Sequence, residues 1–225
     1  MTLPKHKILV AGLQKQSLID YPGKVASVIF LAGCNMRCHY CQNAHLFDLA
    51  QNNLDFSQVL RYLKRQRHLL DAVVVSGGEP TLDPNLPRIL RALRRLGLLI
   101  KLDTNGTNPA VVQKLVTAGL VDLVALDIKA PPHKHQAITG LPMDQVLQTA
   151  AYLKGQSRVD YLLRTTVTPK LTLNDLCQMG ETIIRPAPVW QIQQCRVAGA
   201  YSPVKIQKMA DFLKKYAQHI VVVGL

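Results

Sequence analysis

The stretch "KVASVIFLAGCNMRCHYCQN", residues 24–43, runs from an apolar strand straight into a loop that carries three cysteines. "VASVIF" reads as a buried strand. The loop then places Cys34, Cys38 and Cys41 at intervals of three and two intervening residues, closed by Asn43. Thiolates are soft ligands, suited to zinc and to iron–sulfur clusters. Three thiolates on a four-iron cluster leave one iron for a small molecule. On zinc, His39 would be the candidate fourth ligand, but structural zinc sites draw on two ligand pairs and no second pair is present. Cys177 and Cys195 stand alone: Cys177 reads as a small apolar residue on a helix, and Cys195 as structural or cavity-lining.

Outward from that loop the chain alternates. "AVVVSGG" is a short, wholly apolar strand, as expected when both faces are covered. "LLIKLDTNGT", "VDLVALDIK", "VDYLLRTTV" and "VWQIQQ" repeat the pattern. Between them helical spacing predicts apolar faces of Phe56, Val59, Leu60 and Leu63, then Ile89, Leu90, Leu93 and Leu96 stopped by Gly97. Further helices are expected from Pro109 to about Gly119, around Val146, Leu147 and Ala150, and weakly from Leu173. A last one starts at Ser202 and Pro203 with Ile206, Met209, Leu213 and Tyr216 inward, before "HIVVVGL". Strand and helix repeated about six times imply an α/β fold with a parallel sheet. Either a doubly wound sheet or a partial barrel, splayed open for want of eight units, would satisfy the pattern. The length of 225 residues suits one domain, 1–225, with a core of about 20–195, an N-terminal extension and a C-terminal helix and strand.

Polar groups gather where strands end. "SGGEP" (76–80), "DTNGT" (103–107) and "DIK" (127–129) follow three strands, Arg164 lies in the fifth, and Gln193 and Gln194 end the sixth. In parallel sheets such ends face one side, where ligands bind. Each piece also has a plain reading: Gly-Gly, Glu-Pro and Thr-Asn-Gly-Thr mark turns, and Asp127 could be a satisfied buried carboxylate.

Composition narrows the partners. With 27 Lys and Arg against 14 Asp and Glu, the formal charge is +13, which favours an acidic partner: protein, nucleotide or nucleic acid. The basic residues are spread along helices ("RYLKRQR", "RILRALRR", "DFLKKYAQ"), as on solvated faces. Four Phe and one Trp offer thin platforms for base stacking, so nucleic acid is not favoured. No apolar run is long enough to span a membrane, and "MTLPKHKILVAG" has too short an apolar core for a signal peptide. A cytoplasmic address, reduced thiols and no disulfide framework follow.

"CNMRCHYC", with Tyr40 at the aromatic place, together with "GGEP", resembles the radical S-adenosylmethionine (SAM) enzymes. "GLQKQSLIDYPGKVASVIFLAGCNMRCHYCQN" further resembles the activating enzymes of glycyl-radical proteins, and most of all those of anaerobic ribonucleoside-triphosphate reductase, in the pyruvate formate-lyase activase layout. The resemblance implies a partial (β/α)6 TIM-like barrel of parallel strands. It implies a [4Fe–4S] cluster on Cys34, Cys38 and Cys41, with SAM chelating the fourth iron. Tyr40, Gly77, Gly78, Glu79, Asp103, Thr104, Asp127, Lys129 and Arg164 would then form the cofactor pocket. Gly77, Gly78 and Glu79 would receive the methionyl amino group; Asp103, Asp127 and Lys129 would face the ribose and carboxylate; Arg164 would contact the methionyl part or ribose. In related activases the acidic pair can hold a monovalent cation. The implied reaction is reductive cleavage of SAM to a 5′-deoxyadenosyl radical, which takes a hydrogen from a glycine of a partner enzyme, anaerobic ribonucleotide reductase foremost. The electron would come from a flavodoxin or ferredoxin-type donor. One departure falls at the substrate end: related activases carry a "PYH"-like segment where this chain reads "QIQQCRVAG". A radical SAM enzyme acting on a small molecule, tRNA or peptide is the alternative, and a zinc-stabilised nucleic-acid-binding module a remote one.

Overall fold

The computed structural model describes residues 8–51, 53–196 and 199–224. The opening "MTLPKHK", Asn52, Val197 and Ala198 of "QIQQCRVAG", and Leu225 lie outside them. Among the described residues ten strands run in chain order: β1 Leu9–Val10, β2 Gly12–Ser17, β3 Ala26–Leu31, β4 Leu54–Asp55, β5 Ala72–Gly77, β6 Leu99–Thr104, β7 Leu123–Asp127, β8 Asp160–Val167, β9 Ala187–Gln194 and β10 Ala217–Val223. The α-helices are α1 Phe56–Gln66, α2 Leu86–Arg94, α3 Pro109–Thr117, α4 Pro132–Thr139, α5 Asp144–Lys154, α6 Leu173–Met179 and α7 Pro203–Leu213. The chain divides into two compact units: residues 1–35, 43–103 and 120–122 form the first, and residues 36–42, 104–119 and 123–225 the second.

In the first unit β3, β5 and β6 are parallel, and β2 adds an antiparallel strand beside β3. Val73, Val74 and Val75 of β5 are all fully buried, as the apolar run requires. β2 instead exposes three successive residues, Gln14, Lys15 and Gln16, as an edge strand can. Asp55 caps α1 by accepting from the Ser57 N–H at 2.8 Å, and Phe56, Val59 and Leu63 turn inward. α2 stops at Arg94, a turn before the expected stop at Gly97. Leu96 N–H bonds to Leu93 O and Gly97 N–H to Arg94 O, which tightens the last turn, while Arg94 is held by Asp122 at 2.8 Å.

The second unit pairs β7, β8, β9 and β10 in that order, all parallel. Trp190 is fully buried, its indole N–H donating to Thr165 Oγ1 at 3.0 Å. Pro109 opens α3, and Thr172 with Asp175 forms a reciprocal capping box on α6. Two elements lay beyond pattern reading. α4, "PHKHQAIT", carries too little apolar periodicity to announce itself. α6 passes into a π-helical turn, Gly180–Ile184, where a Cβ on Gly180 would strike the Tyr216 ring. Among the described residues no helix is long and apolar enough to cross a membrane.

Candidate active site

In the first unit β3 and β5 end together, Leu31 beside Gly77 in the ladder. Beyond β3 the chain turns at Gly33, whose N–H bonds to Leu46 O at 2.7 Å. The "GGEP" segment presses on this exit. Gly78 N–H reaches Leu31 O at 2.8 Å, and Glu79 N–H reaches Gly33 O at 2.7 Å. A Cβ on Gly77 would run into the Leu31 backbone, and one on Gly78 would meet the Gly33 carbonyl and lie 3.3 Å from the Cys34 Cβ. The glycines therefore serve first to let the chain approach the root of its own cysteine loop.

Glu79 is 1% exposed and caps the short turn Pro80–Leu82, its Oε1 accepting from Thr81 N–H at 3.1 Å and Thr81 Oγ1 at 2.5 Å. Asp103, near the end of β6, is also buried. Its Oδ2 accepts from Ser76 Oγ at 3.2 Å, and its Oδ1 lies 2.7 Å from Lys101 Nζ. Lys101 had no place in the sequence reading. The available signal was a lysine inside an apolar strand, two residues before an aspartate and so on the same face.

The second unit holds Cys38, Tyr40 and Cys41. Cys41 N–H bonds to Cys38 O at 3.0 Å, and Arg37 N–H to Thr139 O at 2.8 Å. None of the five cysteines is in a disulfide. Tyr40 is buried and its hydroxyl has no hydrogen-bond partner among the described residues. Burial pushes its phenol far up in pKa, against the pull of the Lys129 charge. His39 is exposed, edge-on to the Tyr40 ring. Cys195 is buried. Gln194 donates to Tyr201 O at 2.9 Å.

Asp127 ends β7 directly beside Arg164 on β8. Arg164 Nε lies 2.6 Å from Asp127 Oδ1, and Lys129 Nζ 3.1 Å from Oδ2. Burial alone would raise the Asp127 carboxyl, but the Arg164 and Lys129 charges outweigh it and hold the group well below the usual carboxylate range. Burial likewise works to lower Lys129, and the Asp127 charge carries it well above the usual lysine value. One carboxylate thus faces two cations, leaving a surplus positive charge. Thr104 is buried with its hydroxyl accepting from Gly106 N–H at 3.0 Å, and Asn105 Oδ1 accepts from Thr107 N–H at 3.0 Å, so "TNGT" is a self-bonded turn.

Residues 28–183 match the family model described as the radical SAM superfamily. The chain belongs to this superfamily. A Methanocaldococcus jannaschii protein, provisionally named a glycyl-radical enzyme activating enzyme, is 31% identical over 96% of this chain and 96% of its own length. The pyruvate formate-lyase-activating enzyme of Streptococcus mutans is 30% identical over 78% of this chain and 72% of its own. With these relatives the chain is a radical SAM enzyme of the glycyl-radical activating kind. The solved structure of Streptococcus suis SuiB bound to its precursor peptide SuiA shares the fold, with a TM-score of 0.73 at 16% identity, over 88% of this chain and 48% of that one. The fold class is accordingly that of the radical SAM core, α/β with parallel strands, and the partial (β/α)6 barrel expected from the sequence is the architecture of these neighbours.

The superfamily uses a [4Fe–4S] cluster and SAM, and this chain's residues suit both. Cys34, Cys38 and Cys41 share one irregular loop outside any disulfide, and the Tyr40 hydroxyl is a buried polar atom with no partner among the described residues. Among the described residues no three of His, Cys, Asp and Glu converge as a single metal ion would need. Cluster ligands bond to different irons and do not have to converge in that way.

Proposed function

We propose that the chain, acting as a single radical SAM domain, generates a glycyl radical on a partner enzyme, and that the partner is an anaerobic ribonucleotide reductase. One observation carries the reading of the site: "GGEP" is hydrogen-bonded to the exit of β3 and a Cβ on Gly78 would crowd Cys34, so the start of the thiol loop and the proposed methionine-binding segment are built as one piece. Cys34, Cys38 and Cys41 would hold the cluster. Gly77, Gly78 and Glu79 would receive the amino group of SAM. The surplus positive charge of Lys129 and Arg164 over Asp127 suits its carboxylate. The resemblance also gives Tyr40, Asp103 and Thr104 to the binding of SAM. When bound, the reduced cluster and SAM supply a 5′-deoxyadenosyl radical, the species that removes a glycine hydrogen. The protein's part is to bind, orient and exclude water.

The preference for the reductase rests on the resemblance of residues 12–43 to its activases. The net charge of +13 favours an acidic electron donor of the flavodoxin or ferredoxin type. Anaerobic reconstitution with iron and sulfide, followed by dithionite and SAM, is expected to yield 5′-deoxyadenosine. With the reductase present, a glycyl-radical doublet should appear in electron paramagnetic resonance. Cys38→Ala should lose the iron and all cofactor cleavage while keeping its circular dichroism spectrum. Cleavage with no radical on the reductase would reassign the substrate to a small molecule, tRNA or peptide. A colourless protein that takes up zinc in place of iron would end the reading.

A further inference from the structure

The two carboxylates that the resemblance gives to a monovalent cation, Asp103 and Asp127, have partners that do not fit one. Lys101 and Asp103 lie on the same face of β6. Lys101 is only 2% exposed, and its Nζ sits 2.7 Å from Asp103 Oδ1 and donates to Asp20 O at 2.6 Å. The other carboxylate oxygen accepts from Ser76 Oγ. A metal cation at Asp103 would have to displace a buried ammonium, which would then be left without its counter-charge, or sit beside it against like-charge repulsion in poorly solvated surroundings. Asp127 is likewise taken up, by Arg164 at 2.6 Å and Lys129 at 3.1 Å.

We infer that Lys101 is a built-in counter-ion: its ammonium stands at Asp103 where the resemblance places a soluble monovalent cation, and this chain binds SAM without one. The second half of that statement rests on the functional reading above, whereas the charge pairing is independent of it. Lys101 is in this sense a positioning residue. It sets the charge and orientation of Asp103, and through the Asp20 carbonyl it ties down the segment that exposes Leu18 and Ile19.

Thallium(I), a potassium-sized probe followed by its own NMR signal, tests the pairing directly on the full chain. The wild-type protein is expected to show no saturable thallium site. Its SAM affinity, from equilibrium dialysis, should change by less than about twofold when potassium is replaced by tetramethylammonium at constant ionic strength. Lys101→Met removes the charge at similar length. It should gain one saturable thallium site and a SAM affinity that depends on potassium by roughly tenfold, because a cation bound only by the competent state adds its binding energy. A thallium site in the wild type that Asp103→Asn abolishes would overturn the inference, as would a wild-type affinity that collapses without potassium. So would a folded Lys101→Met protein with no cation dependence. Should that variant not fold, the wild-type titration decides alone. A wild type that binds no SAM in any salt would sink the functional reading and leave the thallium result standing.

Discussion

Asp103 in the first unit and Asp127 in the second both sit at the end of a parallel strand, and both are ion-paired, but by different means. Asp103 is neutralised from its own strand by a single buried lysine. Asp127 is held across the ladder by Arg164 and again by Lys129, so its surroundings keep a net positive charge. Glu79 follows the first pattern, its carboxylate engaged by Thr81. Tyr40 follows the second, with a hydroxyl that no described residue satisfies. The signature residues of the first unit are thus bound into the fold, and those of the second hold charge and polarity in reserve for a ligand. Substitutions at Gly78 should register mainly as stability, whereas those at the Asp127 cluster should register in both stability and cofactor affinity.

Gly78→Val offers the largest break. Its side chain would enter the Gly33 carbonyl and crowd Cys34, and a loss of about 3 kcal/mol or more is expected in urea unfolding. Arg164→Met comes next, at about 1–2 kcal/mol, since it removes one of two partners of a half-buried carboxylate. It carries a pH signature. The folded Asp127 carboxyl is depressed, so its stabilisation is present above the unfolded carboxylate value and lost as pH falls through the folded one. Weakening the depression should move the onset of acid unfolding to higher pH, and SAM affinity should fall with the lost positive charge.

Glu79 sharpens the contrast. Glu79→Gln keeps an oxygen for Thr81 and should cost less than about 1 kcal/mol, whereas Glu79→Ala should lose the cap as well. If both weaken SAM binding equally, the charge acts on the cofactor; if only Glu79→Ala does, the cap is what matters. Tyr40→Phe should be the mildest. Removing a buried hydroxyl with no partner should leave the cofactor-free protein unchanged or more stable, within about 1 kcal/mol in thermal unfolding. A clear destabilisation there would place Tyr40 with the fold-bound residues of the first unit.

Much of the fold was legible because it rests on local pattern. The apolar run of β5, the Pro109 start of α3 and the Ser202–Pro203 start of α7 depend on neighbours in sequence, and all form as read. α4 and the π turn at Gly180 were not legible, since one is a polar helix and the other is shaped by the Tyr216 ring from far along the chain. Within the site, residue types and spacing pointed to Cys34, Cys38 and Cys41 and to "GGEP". The resemblance gave Gly77 and Gly78 to a cofactor, where the structure has them cleared first for the chain's own backbone.

By itself the sequence determined the class of chemistry: three thiols at close intervals, a parallel α/β repeat, and carboxylates at strand ends are properties of residue type and order. Only the tertiary structure decided which cations those carboxylates are paired with. Counter-ions are chosen by proximity: the spacing of Lys101 and Asp103 puts them on one strand face, but the burial of that pair, and Arg164 beside Asp127, depend on packing and strand register that no local pattern encodes.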